Sequence, residues 1–381
     1  MRGLLNAMRK TRNAAASSPL SRIVLHPLPP EGFDILKASD RELNHYRLPP
    51  RPDARRSPEL RAFWERMFAP PLSFVTPKPI PLDVQHLLQQ GAGAHGTGAT
   101  GSAALQVTPT RWGTSQNWSG AVLKARDGMR FHRLGGRWTV PTPGKPTGVF
   151  GNTKAPNGTW QASVWLGFDG FFQWSKSLPQ LGTVSQATPQ KDGSIKQETY
   201  VFGQCWVRGD PKNREVKIDS IAAAPGDEVY CDLTMMKEGR EVYMHVVNRT
   251  QGIAVGFTWL SSKRSPDQKE PASFDAPAEG CTAVWCLERP LTLPTDPDPM
   301  QYFIMPNLDK NPALMGELLA EMQDPNDPNN TVERDLTGAR FIRMVARLED
   351  PKVPRSVVLT SPVPPNETYD GSWFGIRQLD R

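Results

Sequence analysis

The chain has 381 residues and 38 prolines, about twice the usual share of proline. Each proline removes a helix donor, so this composition excludes a long helical bundle or coiled coil. The net charge of +6 comes from the N-terminal part: residues 1–112 hold 15 Lys and Arg against 8 Asp and Glu, whereas residues 113–381 hold 30 against 31. The larger part therefore lacks the basic face of a nucleic-acid-binding domain. No stretch approaches 18 consecutive apolar residues, so we expect no membrane-spanning segment.

Residues 1–88 are predicted to form a basic, proline-rich leader with short helices. Ser39-Asp-Arg-Glu42 is a capping box that begins one helix. Ser57 and Pro58 begin a second helix. Its apolar side chains form one stripe, made of Leu60, Phe63, Trp64, Met67 and Phe68. Such a stripe is stable only when it docks onto another surface. Residues 89–112, rich in Gly, Ala, Ser and Thr, are predicted to form a flexible linker.

From residue 113 the pattern indicates β-strands. Residues 229–235, 242–246 and 253–259 alternate apolar and polar positions between short polar turns, which predicts a three-stranded meander. Further strand-like runs are 117–124, 131–140, 160–169, 197–207, 281–288, 340–348, 356–360 and 372–378. Because no helical pattern alternates with them, we expect an all-β domain over 113–381. It should be an antiparallel β-sandwich or jelly roll of the concanavalin type, with a helical insertion near 311–330.

Common catalytic motifs are absent from the sequence. There is no G-x-S-x-G, no H-E-x-x-H and no phosphate-binding loop. The four cysteines form no C-x-x-C, and the six histidines lack zinc-ligand spacing. We therefore expect no metal and no cofactor, and an enzyme of this sequence would depend on carboxylates, amides and water.

Three stretches stand out as candidates for chemistry. They are QNWSGAV at 116–122, ASVWLGFDG at 162–170 with SLPQLGT at 177–183, and AVWCLERP at 283–290. In the last stretch, the period of a strand places Val284, Cys286 and Glu288 on one face. A carboxylate among apolar neighbours must be either paired or functional.

The order of these stretches resembles the glutamic peptidases, or eqolisins, over about residues 115–305. The resemblance implies a catalytic Gln at Gln180 and a catalytic Glu at Glu288, with Trp118, Trp165 and Asp169 at substrate-binding positions of the cleft. It also implies an acid-acting endopeptidase, in which Glu288 activates a water molecule and Gln180 stabilises the oxyanion.

Further expectations combine the resemblance with the charge, the hydropathy and the basic, proline-rich leader. The partner would be a polypeptide substrate, with no nucleic acid and no membrane, and the protein would be a monomer. The leader would be the propeptide of a zymogen. The first twenty residues show no apolar core of a signal peptide, although the family resemblance suggests a secreted protein.

Two departures from the family pattern leave alternatives open. The family's Tyr-x-x-Trp-x-Glu-Trp strand reads YVFGQCW at 200–206, so that Cys205 replaces an acid and Gly203 a tryptophan. Val284 also stands where the family often has a Glu. The chain could thus be an inactive pseudopeptidase, or a non-catalytic lectin-like sandwich whose 11 tryptophans bind carbohydrate or peptide. Without the resemblance, Glu288 with Arg289 reads as a salt bridge at a strand end, and Gln180 as a loop residue.

Overall fold

The computed structural model describes residues 19–85, 112–151, 158–208, 210, 213–261, 276–292, 301–309, 313–348, 355–363 and 374–379. The predicted linker, apart from Trp112, lies outside these residues. Among the described residues, no helix has the length and apolar character needed to cross a membrane.

The leader contains two short helices and four short strands. They are β1 (Ile23–Val24), α1 (Asp40–His45), α2 (Pro58–Met67), β2 (Ser73–Phe74), β3 (Pro79–Pro81) and β4 (Val84–Gln85). Single 3₁₀ turns occur at Pro19–Arg22 and Gly148–Phe150. The predicted capping box of α1 is confirmed, since Ser39 and Glu42 bond each other's backbone. α2 begins as predicted, with Ser57 at the N-cap position and Pro58 next, but the Ser57 hydroxyl donates to Glu321 rather than accepting from the helix backbone.

Strands make up nearly all of the described remainder. The first are β5 (Trp112–Ser115), β6 (Trp118–Lys124), β7 (Arg130–Thr139), β8 (Pro143–Gly144), β9 (Trp160–Phe168), β10 (Ser177–Pro189), β11 (Ile195–Val207) and β12 (Val216–Ala222). There follow β13 (Glu228–Met236), β14 (Glu241–Asn248), β15 (Ile253–Leu260), β16 (Thr282–Glu288), β17 (Leu291–Thr292) and β18 (Asn307–Leu308). The last are β19 (Ala313–Asp324), β20 (Asp327–Arg334), β21 (Arg340–Leu348), β22 (Arg355–Val363) and β23 (Phe374–Gln378).

The long strands form two layers. The front sheet has the order β3-β12-β11-β10-β9-β16-β6-β21. The back sheet has the order β15-β14-β13-β7-β19, and β22 and β23 join the two sheets along one edge. Large buried side chains such as Trp138, Leu166, Phe257 and Trp285 fill the space between the layers. The predicted all-β antiparallel sandwich is thus confirmed, including its meander of β13, β14 and β15.

The leader packs against the outer face of the back sheet. The stripe of α2 is fully buried there, with Phe63 and Trp64 in one cluster with Tyr230, Val247 and Leu319. Strands β1 and β2 extend the back sheet at β15, and β3 extends the front sheet at β12. The described leader therefore adds to both sheets.

The predicted helix near 311–330 is wrong, because this segment forms β19 and β20. Its apolar residues have helical spacing because β19 is irregular: its pairing with β7 shifts register between Gly316 and Leu319, and Glu317 has a φ of 52°. A bulge interrupts the two-residue period of a strand, so Met315 and Leu318 are both buried although three positions apart. Pairing with β7, β20 and β23 overrides the helix propensity of Ala, Leu, Met and Glu.

Candidate active site

Glu288 and Gln180 project from the same face of the front sheet. Glu288 on β16 pairs with Ser163 on β9, and Gln180 on β10 pairs with Gly167 on the opposite side of β9. Directly paired residues share a face, as do residues four apart in a strand, so both side chains emerge on the face turned away from the core. We call this the site face. The two backbones are separated by two strand spacings, about 10 Å, across the sheet and by four residues, about 13 Å, along β9.

The floor between these two residues is made of one indole and two glycines. Trp165 lies midway along β9, and Gly182 pairs with it from β10. A Cβ on Gly182 would stand 2.5 Å from the Cβ of Trp165, and a Cβ on Gly167 would stand 3.1 Å from that of Gln180. Side chains at either position would displace the groups that flank the floor. Glycine here keeps the space between Glu288 and Gln180 clear.

The Glu288 carboxylate is held by two N–H donors. The indole Nε1 of Trp165 donates to one oxygen at 2.7 Å, and the amide Nδ2 of Asn117 donates to the other at 3.0 Å. The hydroxyl of Ser115 donates to Oδ1 of Asn117 at 3.1 Å, which orients the amide. All four side chains are buried. Trp165, predicted to bind substrate, thus fixes Glu288, and Asn117 is a site residue that the sequence analysis missed.

Arg289 does not pair with Glu288. Its guanidinium lies over the rings of Phe150 and Tyr302, at 5.3 and 5.2 Å from their centroids. Burial lowers the pKa of Arg289 to about 10. The alternative of a Glu288–Arg289 salt bridge at a strand end is therefore wrong.

Gln180 lies in the middle of a strand rather than in a loop, and its neighbour across β11 is Gln204. Cys205, predicted to replace a cleft acid, instead pairs with Pro179 and points into the core between the sheets. The two faces alternate along a strand, so Cys205 lies on the face opposite to that of Gln180. Gln204 is the β11 residue directly beside Gln180 on the site face.

Asp169 supports a turn. Its carboxylate accepts hydrogen bonds from the backbone N–H groups of Glu279, Gly280 and Cys281 at 2.6, 3.1 and 2.7 Å, and from the Cys281 thiol at 2.8 Å. Burial raises the pKa of Asp169, and these donors oppose the rise. Both oxygens accept from the 279–281 backbone, so Asp169 supports the fold of this turn.

Aromatic side chains surround the pair. Trp118 pairs with Glu288 across β6, so its side chain shares the site face. It belongs to a buried cluster with Trp165, Phe202 and Trp206, against which Leu82 of the leader packs. Tyr200, which lies in the same cross-strand row as Glu288, donates to Glu215 at 2.6 Å. Burial, with Glu215 beside it, raises the pKa of Tyr200.

The site is closed in this chain. Gln180 and Glu288 are both fully buried. Leader residues Leu82 and Val84 bond the backbone of Glu215 at one end of the site face, and β4 pairs with β17, three residues beyond Glu288. Within the described residues, no group of three or more His, Cys, Asp and Glu side chains could hold a metal ion.

Several solved structures of other proteins are similar to this chain. Two structures of scytalido-glutamic peptidase with transition state analogs match with TM-scores of 0.43 and 0.44 at 12% identity. SCP-B, a member of the eqolisin family in complex with the tripeptide Ala-Ile-His, matches with a TM-score of 0.41 at 13% identity. Each match covers 69% of this chain and 98% of the other.

No curated protein sequence matches the chain significantly. The model of the Peptidase A4 family matches residues 116–289. That range begins beside Asn117, ends just after Glu288 and includes the whole of β9, β10 and β11. The segment that carries Asn117, Gln180 and Glu288 is thus similar to the Peptidase A4 family of peptidases.

Proposed function

We propose that the protein is an acid-acting endopeptidase in which Glu288 and Gln180 act on the same peptide bond. The observation that carries the proposal is the placement of both side chains on one face, on either side of a floor of Trp165 and glycine. A second support is the pair of N–H donors that orient the Glu288 carboxylate. These contacts suit an ionised carboxylate, which only accepts hydrogen bonds.

The reaction begins with a water molecule held by Glu288. Glu288 takes a proton from the water as its oxygen attacks the carbonyl carbon of the substrate. Negative charge develops on the carbonyl oxygen, and the Nε2 group of Gln180 donates a hydrogen bond to it. Glu288 then gives the proton to the amide nitrogen, the C–N bond breaks, and a carboxylic acid and an amine leave. The same carboxyl group must be ionised to take the first proton and protonated to release it, which favours an acidic working pH.

The experiment that tests this function is a pH–activity profile on an unfolded protein substrate. Wild type should cleave with an optimum below neutral pH, while Glu288→Gln should lose turnover and keep its melting temperature. Gln197→Ala, an exposed glutamine of β11, is the matched control and should behave as wild type. Equal turnover by wild type and Glu288→Gln, or no cleavage at any pH, would overturn the proposal.

The leader acts in this proposal as a removable inhibitor, so that the full chain is a zymogen. The support is the burial of Gln180 and Glu288, together with Leu82 packing on the aromatic cluster of the site face. Its helices do not reach the site, because α2 lies on the outer face of the back sheet. Inhibition would therefore come from the leader segment after β3, with α2 as its anchor.

Self-cleavage tests the zymogen. Full-length wild type and Glu288→Gln are incubated at falling pH, and their new N-termini are mapped. Wild type should be cut between residues 69 and 115 and gain activity, while Glu288→Gln should stay intact. An uncut full-length protein with full activity would contradict this part of the proposal.

A further inference from the structure

A basic pocket lies at the edge of the site face formed by β6 and β21. It has a volume of about 290 Å³, and its charged lining consists of Lys124, Arg126, Arg334 and Arg340. Among the described residues, no acidic side chain lines it. Four cations around one small cavity make a strongly positive environment.

The pocket opens on the same face as the candidate active site. Arg340 on β21 pairs with Val122 on β6, which pairs with Val284 on β16. Val284 pairs with Gly167 on β9, and Gly167 with Gln180. The five residues form one row across the sheet, so the Arg340 and Gln180 side chains share the site face. Four strand spacings give a separation of at most about 19 Å, the length of about six extended residues.

Two guanidinium groups of the pocket have donors without acceptors. Nη1 of Arg334 and Nε of Arg340 are buried and bond no acceptor within the described part of the chain. Arg334 Nη2 donates to the carbonyl of Thr337 at 3.1 Å. Burial lowers the pKa of Arg334, and Arg126 lowers it further, against the influence of Asp127 and Asp335. Buried cationic donors are costly unless an anion accepts from them, so the arrangement is suited to a carboxylate.

An aromatic wall connects the pocket to the site. The ring of Phe171 lies 6.4 Å from that of Trp118, which stands beside Glu288. Arg340 and Lys124 lie over the same Phe171 ring, at 5.8 and 5.7 Å from its centroid. A peptide that follows this wall from the candidate catalytic pair meets the cations at its far end.

We propose that this pocket is a carboxylate subsite of the peptidase, in which Arg334 and Arg340 bind an acidic group of the substrate about six residues from the scissile bond. The inference rests on the proposed peptidase function and adds a substrate preference to it. Both arginines lie outside residues 116–289, the range matched by the family model. The preference would thus belong to the part of this chain that follows the matched range.

A glutamate scan tests the subsite. A neutral peptide that the activated enzyme cleaves is extended on both sides of the scissile bond. In each test peptide, a single Glu or a single Gln is placed at one position between four and eight residues from that bond. Glu should raise kcat/KM about tenfold over Gln near the sixth position on one side. Two further peptides end at the sixth position, one with a free and one with an amidated C-terminus. Faster cleavage of the free form would show that the pocket binds a terminal carboxylate as well as a Glu side chain.

The double variant Arg334→Gln/Arg340→Gln tests whether the pocket causes the preference for Glu. It should lose the preference for Glu while cleaving the neutral peptide as wild type does. Arg343→Gln is the control, since Arg343 lies on the same strand over the ring of Trp112, outside the pocket lining. Equal cleavage of the Glu and Gln peptides by wild type, or a preference that survives in the double variant, would overturn the subsite.

If the peptidase proposal is wrong, the experiment gives a different result from the one expected if only the subsite is wrong. In that case wild type cleaves no peptide, and the subsite is tested by binding alone, as fluorescence anisotropy of the labelled Glu and Gln peptides on Glu288→Gln. Tighter binding of the Glu peptide, lost when Arg334 and Arg340 are also changed to Gln, supports the pocket. Equal binding of the two peptides overturns it.

Discussion

Gln180 and Gln204 face each other across β10 and β11, on the site face of the front sheet. Cys205, the next residue of β11, points into the core. From β11 to β6, the row of paired residues that contains Gln180 consists of Gln204, Gln180, Gly167, Val284 and Val122. Its two polar side chains are thus adjacent amides. An amide supplies both donors and an acceptor and does not titrate. We infer that Gln204 supports the orientation of Gln180 or contacts the substrate beside it.

Substitutions of Gln204 and Cys205 should have different effects, because the two side chains lie on opposite faces of the sheet. Gln204→Ala is expected to lower kcat/KM about tenfold with little change in melting temperature, because it removes a polar group of the site face. Cys205→Ala should lower the melting temperature by a few degrees through lost core packing and leave kcat/KM unchanged. Steady-state kinetics and thermal unfolding of both variants check this. The reverse pattern would mean that the assignment of faces is wrong.

Removing one donor from Glu288 should slow turnover without unfolding the protein. Trp165→Phe keeps most of the ring but removes the indole N–H that donates to the carboxylate at 2.7 Å. A hydrogen bond to a charged group contributes about 1.5–3 kcal/mol, so we expect kcat to fall by a factor of about 10 to 100. Trp138→Phe is the control, because its indole donates to Thr183 in the core. Equal effects of both changes on kcat would argue against a positioning role for Trp165.

The docking of α2 depends on a glycine of the back sheet. A Cβ on Gly135 would stand 2.6 Å from the ring of Phe63. Gly135→Ala should therefore displace the helix, cost about 1–3 kcal/mol and make residues 40–70 sensitive to limited proteolysis. Gly144→Ala is the control, since the nearest atom to its Cβ would be 3.7 Å away. Unchanged proteolysis of Gly135→Ala would show that the helix adapts or docks elsewhere.

His245 should make stability depend on pH. Burial lowers the pKa of His245 to about 3, and its Nε2 lies 2.9 Å from the carbonyl of Arg47 in the leader. The unfolded chain binds a proton at this residue below about pH 6.5, whereas the folded chain stays neutral down to about pH 3. The free energy of unfolding should thus fall as pH drops through this window, by up to about 1.4 kcal/mol per unit.

Denaturant unfolding between pH 7 and pH 4 measures this slope. His245→Gln removes the titrating group, so its unfolding free energy should vary less with pH than that of wild type. His45→Gln, at an exposed leader position, is the control. A slope that is the same in wild type and His245→Gln would contradict the assignment.

The sequence predicted the sandwich well because most strands alternate regularly. Runs such as 131–140 and 340–348 agree with β7 and β21 within one residue. The prediction failed at β19, where the bulge near Glu317 gives strand residues a helical spacing. It also failed to recognise β10, because Pro179 and Gly182 resemble loop residues, although the strand here needs glycine beside Trp165.

The sequence singled out the two residues on which the proposed site is built, but not the contacts that support them. The motif order placed Gln180 and Glu288, which the fold then brings to one face. Asn117 was within reach, since it precedes Trp118 in a stretch already singled out, but its bond to Glu288 spans 171 positions and depends on the pairing of β6 with β16. Asp169 could not be assigned from sequence, because its partners come from a turn about 110 residues away.

The central claim is that Glu288 and Gln180 act together on one peptide bond, and a double-mutant cycle of kcat tests it most directly. Gln180→Ala should lower kcat by about 10²–10³, the effect typical of one oxyanion donor. Glu288→Gln should lower kcat more than Gln180→Ala does. Residues that act as a unit are not additive, so the double variant should be about as slow as Glu288→Gln alone. Wild-type kcat in either single variant, with the fold intact, would contradict the claim.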